Sequence, residues 1–167
     1  MSGCYQADLM LANVFQNVQR LTFGHHFRHS LHKWQFSARL THLTINYSCS
    51  YVGPKLNSMD LPPTLQHLSC NWHDVVFMPP RLTTLRSLYI VVTTDYDRTR
   101  LMLDLSTLPA VKSLHIALKL YIPQTEFDQI LSYLPPSVNR LSVLSTNHEY
   151  SISSTIRWPP LLRHLTL

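Results

Sequence analysis

The sequence predicts a repeat solenoid with a parallel β-sheet on its concave face and mostly loops and short helices on its convex face. Three observations carry this prediction. A short box, apolar-x-x-Leu-x-apolar, recurs seven times, the copies follow one another at intervals of 20 to 27 residues, and nine of the 11 prolines stand close before a copy. The central leucines of the copies are Leu21, Leu43, Leu68, Leu88, Leu114, Leu141 and Leu165.

Each box predicts one β-strand. In Leu43-Thr44-Ile45 the alternation places the two apolar side chains on one face and the threonine on the other. A single strand of this kind cannot bury its apolar face, whereas stacked copies share one continuous core. The predicted strands lie near residues 18–23, 40–45, 65–70, 85–90, 111–116, 138–143 and 162–167.

The strands form one predicted domain, a single solenoid over residues 18–167, with residues 1–17 as an N-terminal capping segment. Apolar residues follow helical spacing from Ala7 to Val18, so we expect a short amphipathic helix over the first coil. A second helix is predicted from Thr125 to Leu134, with Thr125 as its N-cap.

The prolines predict stiff corners directly before the strands. Proline lacks an N–H and fixes its φ angle, so it is excluded from the interior of a central strand but suits a turn that leads into one. The boxes are Leu61-Pro62-Pro63, Met78-Pro79-Pro80, Leu108-Pro109, Leu134-Pro135-Pro136 and Trp158-Pro159-Pro160.

These boxes, of the form Leu-Pro-Pro-x-Leu-x-x-Leu, resemble those of leucine-rich-repeat proteins and of FNIP-repeat proteins. The segment Leu21 to Leu31 is similar to the FNIP unit: a strand, Phe-Gly, a second Phe, a polar pair and an apolar residue. Where that family has Asn and Gln after the second Phe, this chain has Arg28 and His29. The asparagine that standard leucine-rich repeats place after each strand is absent here. The resemblance implies a leucine-rich-repeat-like solenoid that acts as a protein-interaction module.

Composition excludes several classes of protein. Hydrophobic residues make up 45% of the chain and charged residues 14%, which is incompatible with intrinsic disorder. No apolar run approaches the roughly 18 residues that span a bilayer, so we expect no membrane partner. The net charge of +5 comes from scattered basic residues, so we expect no nucleic-acid partner. Three unclustered cysteines indicate a reducing setting, and we expect an intracellular, cytoplasmic location.

The sequence predicts no enzyme. It contains no Gly-rich phosphate loop, no nucleophile motif and no zinc-type spacing of Cys and His, so we expect no catalytic residue, no cofactor and no metal. Four histidines, His25, His26, His29 and His32, have no cysteine near them in the sequence. We interpret them as a solvated loop, with metal binding as the lesser alternative.

Stacked strands align their outward side chains in two polar columns, one before and one after the central leucines. From these columns we predict a binding surface made of Arg20, His42, His67, Tyr89, His115, Arg140 and His164. The columns carry almost no acid, which suits an extended protein partner with acidic or hydroxyl groups. The alternative is that these side chains are solvated and have no partner.

The predicted function is a non-enzymatic protein–protein interaction module, as a substrate-recognition or adaptor part of a larger assembly. The alternative is a structural or remnant fragment of a longer repeat protein with no specific ligand. Because the seventh box ends at Leu167, we expect the last strand to have an open edge. The chain can self-associate through such an edge or continue there into a longer array.

Overall fold

Parallel β-strands form the framework of the protein in the computed structural model, which describes residues 16–24, 36–46, 61–71, 82–92, 105–119, 121–146 and 148–167. Each strand forms within its own box, as the alternation of apolar and polar residues predicts. The described residues contain β1 Arg20–Phe23, β2 His42–Ile45, β3 His67–Asn71, β4 Ser87–Val92, β5 Ser113–Leu118, β6 Arg140–Ser145 and β7 His164–Thr166.

The strands form one sheet in chain order, and every neighbouring pair is parallel. In this register the central leucines lie side by side, for example Leu43 beside Leu68 and Leu88 beside Leu114. All four are at most 2% exposed and belong to one continuous apolar core. Stacked parallel coils that share a core make a β-solenoid, so the predicted repeat solenoid is confirmed.

In each box, two residues separate the first apolar residue from the central leucine. The backbone makes the same irregular step at these two residues in every coil. The carbonyl of Gln66 accepts hydrogen bonds from the N–H groups of both Arg86 and Ser87, at 2.8 and 3.0 Å, and a carbonyl is shared in this way at every junction between neighbouring strands. The first apolar residue of a box and its central leucine are both buried, as Leu85 and Leu88 are, so the chain changes direction across the two residues between them. Each strand therefore starts two residues later than its box predicts, as β4 does at Ser87.

The proline boxes form turns. The N–H of Leu65 donates to the carbonyl of Pro62 at 3.1 Å, which closes a turn with Pro63 at its second position. Proline favours this position because the turn needs a φ angle near −60° there. The same bond closes two later boxes, from Val138 to Pro135 and from Leu162 to Pro159. The predicted stiff corners are confirmed at these three boxes, while Pro79 and Pro80 lie outside the described residues.

Side-chain hydroxyls tie neighbouring coils together. Each hydroxyl stands directly before the first apolar residue of its own box and donates to the carbonyl of the first apolar residue of the preceding box. The pairs are Thr64 to Leu40, Thr84 to Leu65 and Ser137 to Val111, at 2.9, 2.8 and 2.7 Å. These bonds satisfy main-chain carbonyls that would otherwise be left without a partner between coils.

A helix, α1 Gln124–Ser132, lies between β5 and β6 and packs Phe127, Ile130 and Leu131 into the core. The carbonyl of Pro123 accepts the N–H of Phe127 at 3.0 Å, so the helix begins ahead of Thr125. The expectation that Thr125 is the N-cap is therefore wrong: Pro123 holds that position, and no side chain caps the helix.

Other predicted elements fall outside the described residues or remain small. The capping segment, residues 1–17, and the expected helix over Ala7 to Val18 lie almost wholly outside them. A short 3-10 helix, Leu105–Thr107, precedes the turn that leads to β5.

No helix within the described ranges has the length and apolar character needed to cross a membrane.

Candidate functional site

The outward side chains of the strands form two columns in register, and together we call these columns the exposed sheet face. Paired residues lie on adjacent strands, about 4.8 Å apart. The first column consists of Arg20, His42, His67, Ser87, Ser113, Arg140 and His164. The second consists of Thr22, Thr44, Ser69, Tyr89, His115, Ser142 and Thr166. The structure thus brings together all seven residues that the sequence singles out.

The exposed sheet face carries basic and hydroxyl-bearing side chains without a carboxylate among them. None of the strands β1 to β7 contains Asp or Glu. Within the described ranges the acidic residues are Glu126 and Asp128 on α1 and Glu149 in the coil after β6. Basic groups with no acid beside them keep a positive potential at the surface, and such a potential favours anionic partners.

Two stacked imidazoles occupy the N-terminal half of the face. The rings of His42 and His67 lie 4.1 Å apart, centroid to centroid, and are inclined by 15°. Thr41 Oγ1 lies 2.9 Å from Nδ1 of His42 and fixes the ring plane. Burial, and then repulsion from His67 and Arg20, lower the pKa of His42 below its ordinary value of 6.5. At neutral pH His42 therefore presents a neutral ring, able to donate or accept hydrogen bonds.

An aromatic pair lies at the centre of the face. Tyr89 of β4 and His115 of β5 are paired in register, and their rings stack with centroids 4.5 Å apart and an angle of 11°. Tyr89 is 36% exposed, so its ring remains accessible from solvent. Burial lowers the pKa of His115 below 6.5. The pair forms a rigid flat surface because each ring limits the rotation of the other.

A shallow depression of about 470 Å³ lies at the C-terminal half of the face, over β5, β6 and β7. Its outward side chains are one guanidinium, two imidazoles and three hydroxyls. They belong to Arg140, His115, His164, Ser113, Ser142 and Thr166. Leu114 and Leu141 also line it, but both are buried in the core, so their main chain forms the floor. We call this feature the C-terminal depression.

A third outward column, which the sequence reasoning missed, borders the two polar ones. It consists of Asn71, Val91, Ala117 and Leu144, which pair in register on β3 to β6. Leu144 is 44% exposed. The sequence does carry a signal for this column. Apolar residues follow Ile90 and Ile116, so the strands in these two boxes continue for two more residues, one pointing outward and one inward.

The described part of the face carries neither an exposed thiol nor a cluster of metal ligands. Cys70 is 1% exposed and lies in the core, on the inward side of β3. The described ranges contain no group of three or more His, Cys, Asp or Glu residues placed to hold a metal ion. The four-histidine segment, His25 to His32, lies outside them.

Comparisons with protein-family models, with curated proteins and with solved structures find no match to this chain. The fold and the face therefore define the class. The protein is a parallel β-solenoid that displays a basic, hydroxyl-rich sheet face along its length.

Proposed function

We propose that the chain is a non-enzymatic, leucine-rich-repeat-like interaction module, related in its repeats to FNIP-type proteins, that binds an extended acidic segment of another protein across its concave sheet face. The observation that carries this proposal is the continuity of the two polar columns through all seven strands without a single carboxylate. A face that carries arginines and no carboxylate is electrostatically complementary to an anionic partner.

The dimensions of the face indicate the length of the partner segment. Seven strands about 4.8 Å apart span about 29 Å, and an extended peptide rises about 3.3 Å per residue. A segment of about nine residues would therefore cross the whole face. Its acidic side chains would meet Arg20 near one end and Arg140 near the other.

The described face holds hydroxyls and imidazoles but no carboxylate that could orient an imidazole as a general base, which supports a binding role rather than catalysis. Arginine and tyrosine, which dominate interaction energies at many interfaces, both occur there, at Arg20, Arg140 and Tyr89. An adaptor role within a larger assembly and an intracellular setting, the latter from the unclustered cysteines, are parts of the same proposal.

The proposal is tested by affinity capture from cell extract with quantitative mass spectrometry. The bait is compared with the variant Arg20→Glu/Arg140→Glu and with the control Arg39→Glu/Arg157→Glu. All four arginines are exposed, and each pair changes the net charge equally, but Arg39 and Arg157 lie outside the strands. A partner retained by the control and lost by the first variant supports the proposal.

Other outcomes contradict it. A partner lost equally by both variants depends on net charge alone, and a partner retained by both binds elsewhere. The absence of any partner that depends on the face favours the alternative function, a structural or remnant part of a longer repeat protein without a specific ligand.

A second proposal, self-association, is supported by the outer edge of β7. Leu165 and Leu167 are 43% and 56% exposed there, which is unusual for leucines at core positions of a repeat. Sedimentation velocity over a range of concentrations tests this. A dimer that is lost in Leu165→Lys supports pairing through the edge, and a monomer at all concentrations contradicts it.

A further inference from the structure

We infer that the C-terminal depression is a binding site for a single oxyanion, a carboxylate or a phosphate monoester carried by the partner segment. This inference rests on the proposed function, because it assigns the anchoring point of the same partner. It goes beyond that function by naming the chemical group bound and the six side chains that bind it.

The register gathers the donors from three strands. Ser113, Arg140 and His164 are direct neighbours in the first column, and His115, Ser142 and Thr166 are direct neighbours in the second. Arg140 lies at the middle of its row, so its guanidinium is flanked on both sides by groups that can donate hydrogen bonds. A guanidinium matches carboxylate and phosphate oxygens with two parallel N–H donors.

The position of one imidazole is fixed before any ligand arrives. His115 stacks against Tyr89, with ring centroids 4.5 Å apart, on the side of the depression that faces β4. A ring held in this way loses little conformational freedom when it binds an anion, which lowers the cost of binding. The depression is thus bordered on one side by a rigid aromatic pair.

Charge selects the ligand. Arg140 supplies a positive charge, and none of the groups that line the depression is a carboxylate. Lys112 and Arg163 directly precede Ser113 and His164, and both are exposed, which extends the positive potential around the site. A cationic or apolar ligand would leave these donors unsatisfied, whereas an oxyanion accepts from several of them at once.

The depression has room for an acidic side chain together with part of the peptide that carries it. Its volume is about 470 Å³, and it is open to solvent along the face. A glutamate or phosphoserine side chain can enter it while the peptide continues toward β4 or toward Leu144, which lies two residues beyond Ser142 on β6.

The test uses defined peptides and NMR. The ring resonances of His115 and His164 are followed while one of three peptides is added: Gly-Gly-Glu-Gly-Gly, the same peptide with phosphoserine, or the same peptide with serine. All three have acetylated and amidated ends, so that the serine peptide carries no carboxylate. We expect saturable shifts, with a dissociation constant in the millimolar range, for an anionic peptide and none for the serine peptide. The glutamate and phosphoserine arms distinguish the two sources of the oxyanion.

Two variants test whether the anionic peptide binds at Arg140. Arg140→Gln is expected to weaken the binding of the anionic peptide at least about tenfold, because one charge-assisted hydrogen-bonded pair is lost. Arg157→Gln, an exposed arginine outside the strands, is expected to leave the affinity unchanged. Unchanged backbone spectra of both variants show that each remains folded. Equal shifts in the wild type and Arg140→Gln, or shifts that do not saturate, overturn the inference.

The failure of this inference is distinguishable from the failure of the proposed function. If the peptides do not bind in the depression but capture of a partner is lost in Arg20→Glu/Arg140→Glu and kept in the control, the oxyanion site is wrong and the face still binds. If the anionic peptides bind at Arg140 but no captured protein depends on the face, the site is correct and the proposed function is wrong.

Discussion

The imidazole rings of His42 and His67 stack across β2 and β3, with their centroids 4.1 Å apart and their planes inclined by 15°. Two rings at this distance repel one another when both are protonated. The stack therefore favours the neutral state of His42. This relationship follows directly from the in-register repeat, which places histidine at the same position in consecutive coils.

Removal of His67 is expected to raise the pKa of His42. Burial is the largest cause of its low pKa and His67 is the next, so His67→Gln removes one cause and leaves the other. The pKa of His42 should rise but stay below 6.5. Titration of the His42 ring by NMR measures this change, with His164→Gln on β7 as the control. An unchanged or lower pKa of His42 in His67→Gln would contradict the account.

The free energy of unfolding should fall as the pH falls below about 6.5. His42 and His115 have pKa values lowered in the folded state, so the unfolded chain binds these protons more readily. Their contribution is complete above 6.5 and is lost as the pH falls through the folded values. Urea unfolding at several values between about pH 7 and pH 5 measures how steeply the free energy of unfolding depends on pH. The double variant His42→Gln/His115→Gln should show a shallower slope, and an equal slope counts against the assignment.

Loss of a hydroxyl between coils should destabilise the fold by about 1 kcal/mol. Thr84 Oγ1 donates to the carbonyl of Leu65 at 2.8 Å and also bonds the carbonyl of Pro63. Thr84→Val keeps the shape of the side chain but removes the donor, and Thr84→Ser keeps the donor. We expect chemical denaturation to give a lower free energy of unfolding for the valine variant than for the serine variant. Valine equal to the wild type would show that the hydroxyl contributes nothing.

The same substitution at two equivalent leucines should have unequal costs. Leu88 is fully buried between two coils, whereas Leu165 at the end of the sheet is 43% exposed. Leu88→Ala leaves a cavity and should cost about 2–5 kcal/mol. Leu165→Ala should cost about 1 kcal/mol or less, because little apolar area leaves the core. Similar losses in the two variants would show that the outer edge of β7 is covered in solution.

The sequence allowed the register to be predicted because the same box recurs, so that equivalent positions of neighbouring coils pair, as Leu68 does with Leu88. The starts of the strands were displaced by two residues, since the shared carbonyl acceptor is a backbone feature that the pattern does not display. The hydroxyls of Thr64, Thr84 and Ser137 were visible at equivalent positions, but their acceptors are known only once coils stack.

The candidate site was predicted in part. The seven predicted binding residues lie on one face because the alternation within each strand and the register between strands place them there. The ring stacking at Tyr89 and the depression around Arg140 depend on side-chain rotamers and on the shape of the surface. The spacing of the repeats determines neither. The apolar column that ends at Leu144 was not predicted, because the prediction covered only the columns directly before and after the central leucines.

Site-specific photocrosslinking tests the central claim, that the exposed sheet face binds a protein partner, most directly. A photoreactive benzoylphenylalanine replaces either Tyr89 on the sheet face or Tyr133 at the end of α1, two tyrosines with similar exposures of 36% and 39%. The account predicts a crosslinked partner from position 89 and none from position 133. A partner crosslinked from position 133 but not from position 89 would contradict it.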